Sequence, residues 1–207
     1  MKKSFTLFEL LIVIAILIIV STFTIYKYED NNLEKATNRL VLYLKELRYQ
    51  ALIDSKRDND ELFWHKKRWS LKFLNCNKNV GGIYYVIYSD TNMTGHPGLE
   101  ESLSDPLTNK KIYSTNKCEY RPNTSKYVLL TKEFGIDEVN VSCNNTSSIG
   151  QISFGDDGNV YTKLSNFENS ENEYKLENIC TVELKSLKEG TSSIVIESNT
   201  GFISRNK

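Results

Sequence analysis

The 21 residues Phe5–Ile25 carry a single charge, Glu9, and no other feature constrains the fold of the chain as strongly. As one α-helix this run would be about 31 Å long, the thickness of a bilayer core. Lys2 and Lys3 precede it, which predicts an N-terminus on the cytoplasmic side and everything after residue 26 on the other side. A cleaved secretory signal needs a shorter apolar region and a small-x-small site, and Ser21-Thr22-Phe23-Thr24 lacks that site. A plain anchor would gain by losing Glu9, because a carboxylate in an apolar span costs at least ~2.5 kcal/mol without a partner. Glu9 therefore predicts a partner for its carboxylate inside the membrane.

Of the 182 residues beyond the run, some 150 are left for a head, about enough for one domain with one core. The 26 basic and 26 acidic residues balance, which argues against a chain built to coat nucleic acid. Four cysteines, Cys76, Cys118, Cys143 and Cys180, form no Cys-x-x-Cys pair, and neither histidine lies near them in sequence. Metal-ligand spacing is absent, and no cofactor is expected. In an oxidising compartment an even count favours two disulfides over free buried thiols. Three connectivities are open, of which sequential pairing, Cys76 with Cys118 and Cys143 with Cys180, is favoured.

Ser4-Phe5-Thr6-Leu7-Phe8-Glu9-Leu10 resembles the processing motif of type IV prepilins and type II secretion pseudopilins. The resemblance implies cleavage between Ser4 and Phe5 by prepilin peptidase, N-methylation of Phe5, and a Glu9 carboxylate that meets the N-terminal amine of a neighbouring subunit. Where that family usually has Gly before the cut, this chain has Ser4. The resemblance further implies a single pass through the bacterial inner membrane, a periplasmic head, and assembly with other pilins or pseudopilins into a filament.

Beyond the run, Leu33, Ala36, Leu40, Leu44, Leu47 and Ala51 recur at helical spacing, and no Gly or Pro interrupts the chain before Gly81. One continuous helix from about Phe5 to about Ser55 is predicted. Asp58-Asn59-Asp60-Glu61 then marks a solvated break. Strands are predicted at Trp69–Leu74, Ile83–Tyr88, Tyr127–Thr131, Val139–Ser142, Gln151–Phe154, Asn159–Lys163, Cys180–Leu184, Ser193–Glu197 and Phe202–Ser204. Gly155-Asp156-Asp157-Gly158 is a hairpin signal, and residues 90–125, with all three prolines, read as a long loop. The expected fold is α+β: a long N-terminal helix, its first half transmembrane, packed on an antiparallel β-sheet head. Its parts are a leader at 1–4, a transmembrane half at 5–25, an amphipathic half at 26–57 and a head at 58–207. Leu47–Ala51, Trp69–Phe73, Ile152–Gly158 and Ile194–Arg205 follow an order similar to that of H-type minor pseudopilins and FimT-like minor pilins.

Catalysis has little support: only His65 and His96 are histidines, and no phosphate loop, His-Glu-x-x-His or Gly-x-Ser-x-Gly occurs. The expectation is a protein that is not an enzyme. Lys66, Lys67 and Arg68 lie between Trp64 and Trp69, a pattern that would suit phosphates and stacked bases but is more often a solvated strand edge with Trp69 in the core. The resemblance to FimT-like pilins adds Arg205 and Lys207 as candidates for contact with DNA. Asp156, Asp157 and Asn159 suit a hairpin turn better than a calcium loop. Asn92 and Asn140 are candidate glycosylation sites, each in an Asn-x-Ser/Thr sequon with an acidic residue, Asp90 or Glu138, two positions earlier.

Overall fold

The computed structural model describes residues 6–24, 31–58 and 60–206. The chain divides into two compact units, Met1–Asp30 and Asn31–Lys207.

The first unit contains helix α1, Leu7–Thr24. Its start is a capping box. The Thr6 backbone N–H and Oγ1 donate to Glu9 Oε2 at 2.9 and 2.8 Å, and the Glu9 N–H donates back to Thr6 Oγ1 at 3.3 Å. These bonds hold the Glu9 carboxyl below its ordinary range. The described apolar side chains of α1, Leu7 to Val20, are exposed on every side of the helix within this unit.

The second unit begins with α2, Asn32–Ile53. The Asn31 side chain accepts from the Glu34 N–H, and Glu189, far along the chain, accepts from the N–H groups of Asn32 and Leu33 at 3.2 and 2.8 Å. These bonds satisfy the orphan donors of a true helix start, with a negative charge at the positive end of the dipole. Two expectations are thereby corrected. The single helix from Phe5 to Ser55 is two helices, and the described part of α1 is about 27 Å long against about 30 Å for a hydrocarbon core. Among the described residues no helix is long and apolar enough to cross a membrane. That finding overturns both the long-helix architecture and the single-pass inner-membrane placement with a periplasmic head.

Two antiparallel sheets replace the single expected one. The first has the order β2-β1-β4-β5, with β1 Trp69–Asn75, β2 Ile83–Tyr88, β4 Gly150–Phe154 and β5 Val160–Tyr161. The second has the order β3-β6-β7-β8, with β3 Glu138–Val141, β6 Cys180–Ser186, β7 Gly190–Ile196 and β8 Ile203–Asn206. One face of α2, with Leu33, Ala36, Leu40, Tyr43, Leu44, Leu47 and Ala51, is buried against both sheets. At Gly150 a Cβ would collide with Val141, so the missing side chain lets β4 and β3 approach where the sheets meet. The segment Tyr127–Thr131, expected as a strand, is a 3₁₀ turn, Lys126–Val128, followed by α3, Leu130–Phe134. Gly135, at φ 67°, ends α3 with its N–H on the Leu130 and Thr131 carbonyls. A short apolar run cannot by periodicity alone separate strand from helix.

Residues 90–125 are a long loop, tied at several points. Tyr43 Oη donates to Asp105 Oδ2 at 2.6 Å, and the Leu107 N–H and Thr108 Oγ1 also donate to that carboxylate. Burial alone would raise the Asp105 carboxyl, but these hydrogen bonds outweigh it and hold the group below its ordinary range. Asp105→Asn should therefore cost about 1.5–3 kcal/mol at neutral pH. A carboxyl lowered by folding contributes its stability above its unfolded pKa and loses it on protonation. The difference between wild type and variant should accordingly close as pH falls below about 4, which urea titrations at pH 7 and pH 3 would read.

Candidate functional site

The cations grouped at residues 66–68 do not form one exposed cluster. Lys67 is ion-paired with Glu61. Arg68 is buried, donates from Nη1 to the Glu171 carbonyl at 2.6 Å, and lies 3.7 Å from the Tyr161 ring centroid and 4.9 Å from that of Trp64. Trp69 is also buried and donates from Nε1 to Asp54 at 2.9 Å. Arg205, on β8, pairs with Glu34 at 3.0 Å. Lys207 lies outside the described residues. Of these candidates, Arg68 lines only a small cleft beside Trp64 and Trp69, while Lys66 lines a roomy one.

That cleft, of about 520 Å³, opens beside the face of the first sheet that looks away from α2. Three ammonium groups line it, from Lys66, Lys72 and Lys163, with Asp90 as its one carboxylate and with Asn145 and Gln151 among its amides. Lys72 is placed there by strand alternation. Its neighbours Leu71 and Phe73 point into the core, while Lys72 sits opposite Val86 and Gln151 on the other face. Lys66 lies over the Phe63 ring and Lys163 over that of Tyr174, each ammonium 4.7–4.8 Å from the ring centroid. Among the described residues the Lys72 ammonium has neither an ion pair nor a hydrogen bond, and burial pulls it below the ordinary lysine value against the opposing pull of Asp90. Both Asp90 oxygens are already engaged, Oδ1 by the Thr94 N–H and Oδ2 by the Gly95 N–H. Lys72 and Lys163 were invisible as site residues in the sequence, since a lysine alternating with apolar strand residues reads as an ordinary solvent-facing one.

The four segments whose order carries the subfamily resemblance meet in space. Arg48 Nε donates to the Thr200 carbonyl at 2.8 Å, and Trp69 pairs with Phe154 across β1 and β4. Gly201, at φ 60°, leaves room for Phe154, whose ring carbon would be 2.8 Å from a Cβ there. The remaining candidates are scattered. Both disulfides are present in the sequential pairing, Cys76–Cys118 and Cys143–Cys180, with Cα separations of 5.8 and 5.3 Å. Asn92 and Asn140 are both exposed, the first on the loop organised by Asp90 and the second on the edge strand β3. Ser4 and Phe5 lie outside the described residues. His65 is buried, with Nε2 donating to the Ser165 carbonyl, and burial lowers its pKa. Asp156 accepts from Ser55 Oγ, and Asp157 accepts from the Asn159 N–H within the β4–β5 turn. Among the described residues no group of three His, Cys, Asp or Glu side chains converges as metal ligands.

Compared with family models, with curated proteins and with solved structures, the chain matches none.

An unpaired, half-buried ammonium is a stability cost. Lys72→Met should raise the stability of the folded unit by roughly 0.5–2 kcal/mol at neutral pH. For a lysine whose pKa is lowered by folding, the cost is full below the folded pKa and gone above the unfolded value. The advantage of the variant should therefore vanish as pH rises past about 10.4, as thermal melts across that range would show.

Proposed function

We propose that the chain is a pilin-like subunit, a minor pilin or pseudopilin, that assembles into a filament through α1 and displays the β-rich unit as its head. The observation that carries this reading is α1 itself. It is apolar on every side, and its described side chains are exposed within their own unit, so it has a surface suited to burial among similar helices. Two further features support it. The processing-type motif from Ser4 to Leu10 stands immediately at this helix, and the four ordered segments around Arg48, Trp69, Phe154 and Gly201 come together in the head. Two disulfides suit a head that folds in oxidising surroundings.

Intact mass of the chain purified from cells with active prepilin peptidase tests the reading. The expected product lacks Met1–Ser4 and carries one methyl group on Phe5. An uncut, unmethylated chain would remove the basis for assigning it to this class.

A pair of variants separates two roles for Glu9. If its carboxylate meets a neighbour's amine, Glu9→Ala blocks filament incorporation while Thr6→Ala, which breaks only the capping box, still assembles. Equal loss of incorporation in both, measured in sheared filament fractions, would assign Glu9 to capping alone.

A further inference from the structure

We propose that the cleft between Lys66, Lys72 and Lys163 binds an acidic saccharide unit, a sugar ring bearing one carboxylate. The proposal does not rest on how the chain assembles, because every residue of the cleft belongs to the β-rich unit.

Size comes first. A volume of about 520 Å³ lies within the range of small-ligand sites and holds one or two sugar rings. Charge comes next. Three lysines and a single carboxylate line the cleft, and that carboxylate, Asp90, already accepts two backbone N–H groups. The balance therefore calls for an anion. Lys72 is the point of attachment: half-buried on its strand, without an ion pair or a hydrogen bond, it would gain a partner only from a ligand.

The rest of the lining narrows the class of anion. No arginine lines the cleft, so an anion there would meet lysine point charges, which suit a carboxylate and a phosphate alike. The N–H groups of Thr94 and Gly95, which would otherwise cradle phosphate oxygens, donate to Asp90. Tyr88, the aromatic side chain of the cleft, is only 4% exposed, so there is no platform on which a base could stack. What the cleft does offer is a set of amides and hydroxyls from Asn145, Gln151, Asn166 and Ser147, of which Asn145 Nδ2 already donates to Thr162 Oγ1 and Gln151 Nε2 to Ser153 Oγ, leaving their amide oxygens as acceptors. Together such a set both donates and accepts, as sugar hydroxyls do. One carboxylate on Lys72 and several hydroxyls on these amides would satisfy the cleft.

Isothermal titration of the full-length chain with sodium glucuronate tests this, with glucose and inorganic phosphate as the other two arms. One-to-one glucuronate binding is expected, with glucose and phosphate each at least about tenfold weaker. Lys72→Met should weaken glucuronate by at least about tenfold and leave the chain folded, its thermal transition at or above that of wild type. Lys185→Met, remote from the cleft, should leave binding unchanged. The proposal is overturned by absence of glucuronate binding, by unchanged binding in the folded Lys72→Met variant, or by phosphate binding as tight as glucuronate. This last result would show a site that reads charge without reading a sugar.

Discussion

Burial of one face of α2 against both sheets is the contact on which the rest of the β-rich unit depends. Each sheet alone has an apolar face and two open edges, and three or four short strands are marginal without something to cover that face. Leu40, Leu44 and Leu47 are fully buried between them, and Tyr43 adds an edge-to-face contact with Tyr85, which packs in turn on Phe73. Through its hydroxyl, the same Tyr43 reaches out of the core to Asp105 and Ser125. A polar tip on an apolar body thus joins the packed centre to the long loop, and residues 90–125 need few apolar contacts of their own to stay in place. The Cys76–Cys118 bridge ties that loop again, to the end of β1.

The charges divide according to what burial permits. Arg68 is deep, and its guanidinium meets a carbonyl and two aromatic faces, none of which carries a full negative charge, while its Nε has no hydrogen-bond partner among the described residues. Arg205 and Glu34 meet near the surface, where such a pair contributes little to stability and mostly sets where β8 lies against α2. Lys72 breaks the pattern. It is partly desolvated, and the pull of Asp90 offsets that burial only in part. Groups held at such a cost are commoner at binding surfaces than in scaffolding.

Much of the β-rich unit was legible, for a physical reason. The α2 stripe was read correctly down to Leu33 and Ala51, because helical spacing is a local property. The strands β1, β2, β4 and β6 were legible through their β-branched and aromatic runs, and the number of disulfides through parity, whereas the sequential pairing was favoured without being determined. The break before α2 was not. Asn31 is a good cap residue, but a cap competes with a continuing helix only when something else rewards the interruption. Here the reward is Glu189, 156 positions from Leu33 and unconnected to it by any sequence pattern. The cleft stayed hidden for a similar reason. Lys72, Lys163 and Asn145 lie on a strand and two separate loops, and only folding brings them to one opening. The basic run at 66–68 misled in the opposite direction, since adjacency in sequence suggested a common surface while Arg68 turns inward.

Glu9 shows how a local reading can change an electrostatic argument. A carboxylate in an apolar helix needs a partner, and the sequence reading placed that partner in another chain. The pattern Thr6-Leu7-Phe8-Glu9 is itself a capping box, and the structure closes it within three residues. The box engages only Oε2 of an exposed carboxylate, so beyond Glu9 the described part of α1 has little polarity to direct a neighbour. Its apolar side chains would hold similar helices together by burial, which has strength but almost no direction. In any assembly built on α1, the register between copies must then come from elsewhere. Among the described residues, exposed strand edges and half-buried charges belong to the β-rich unit. An assembly of this kind would draw its cohesion from α1 and its order from the heads.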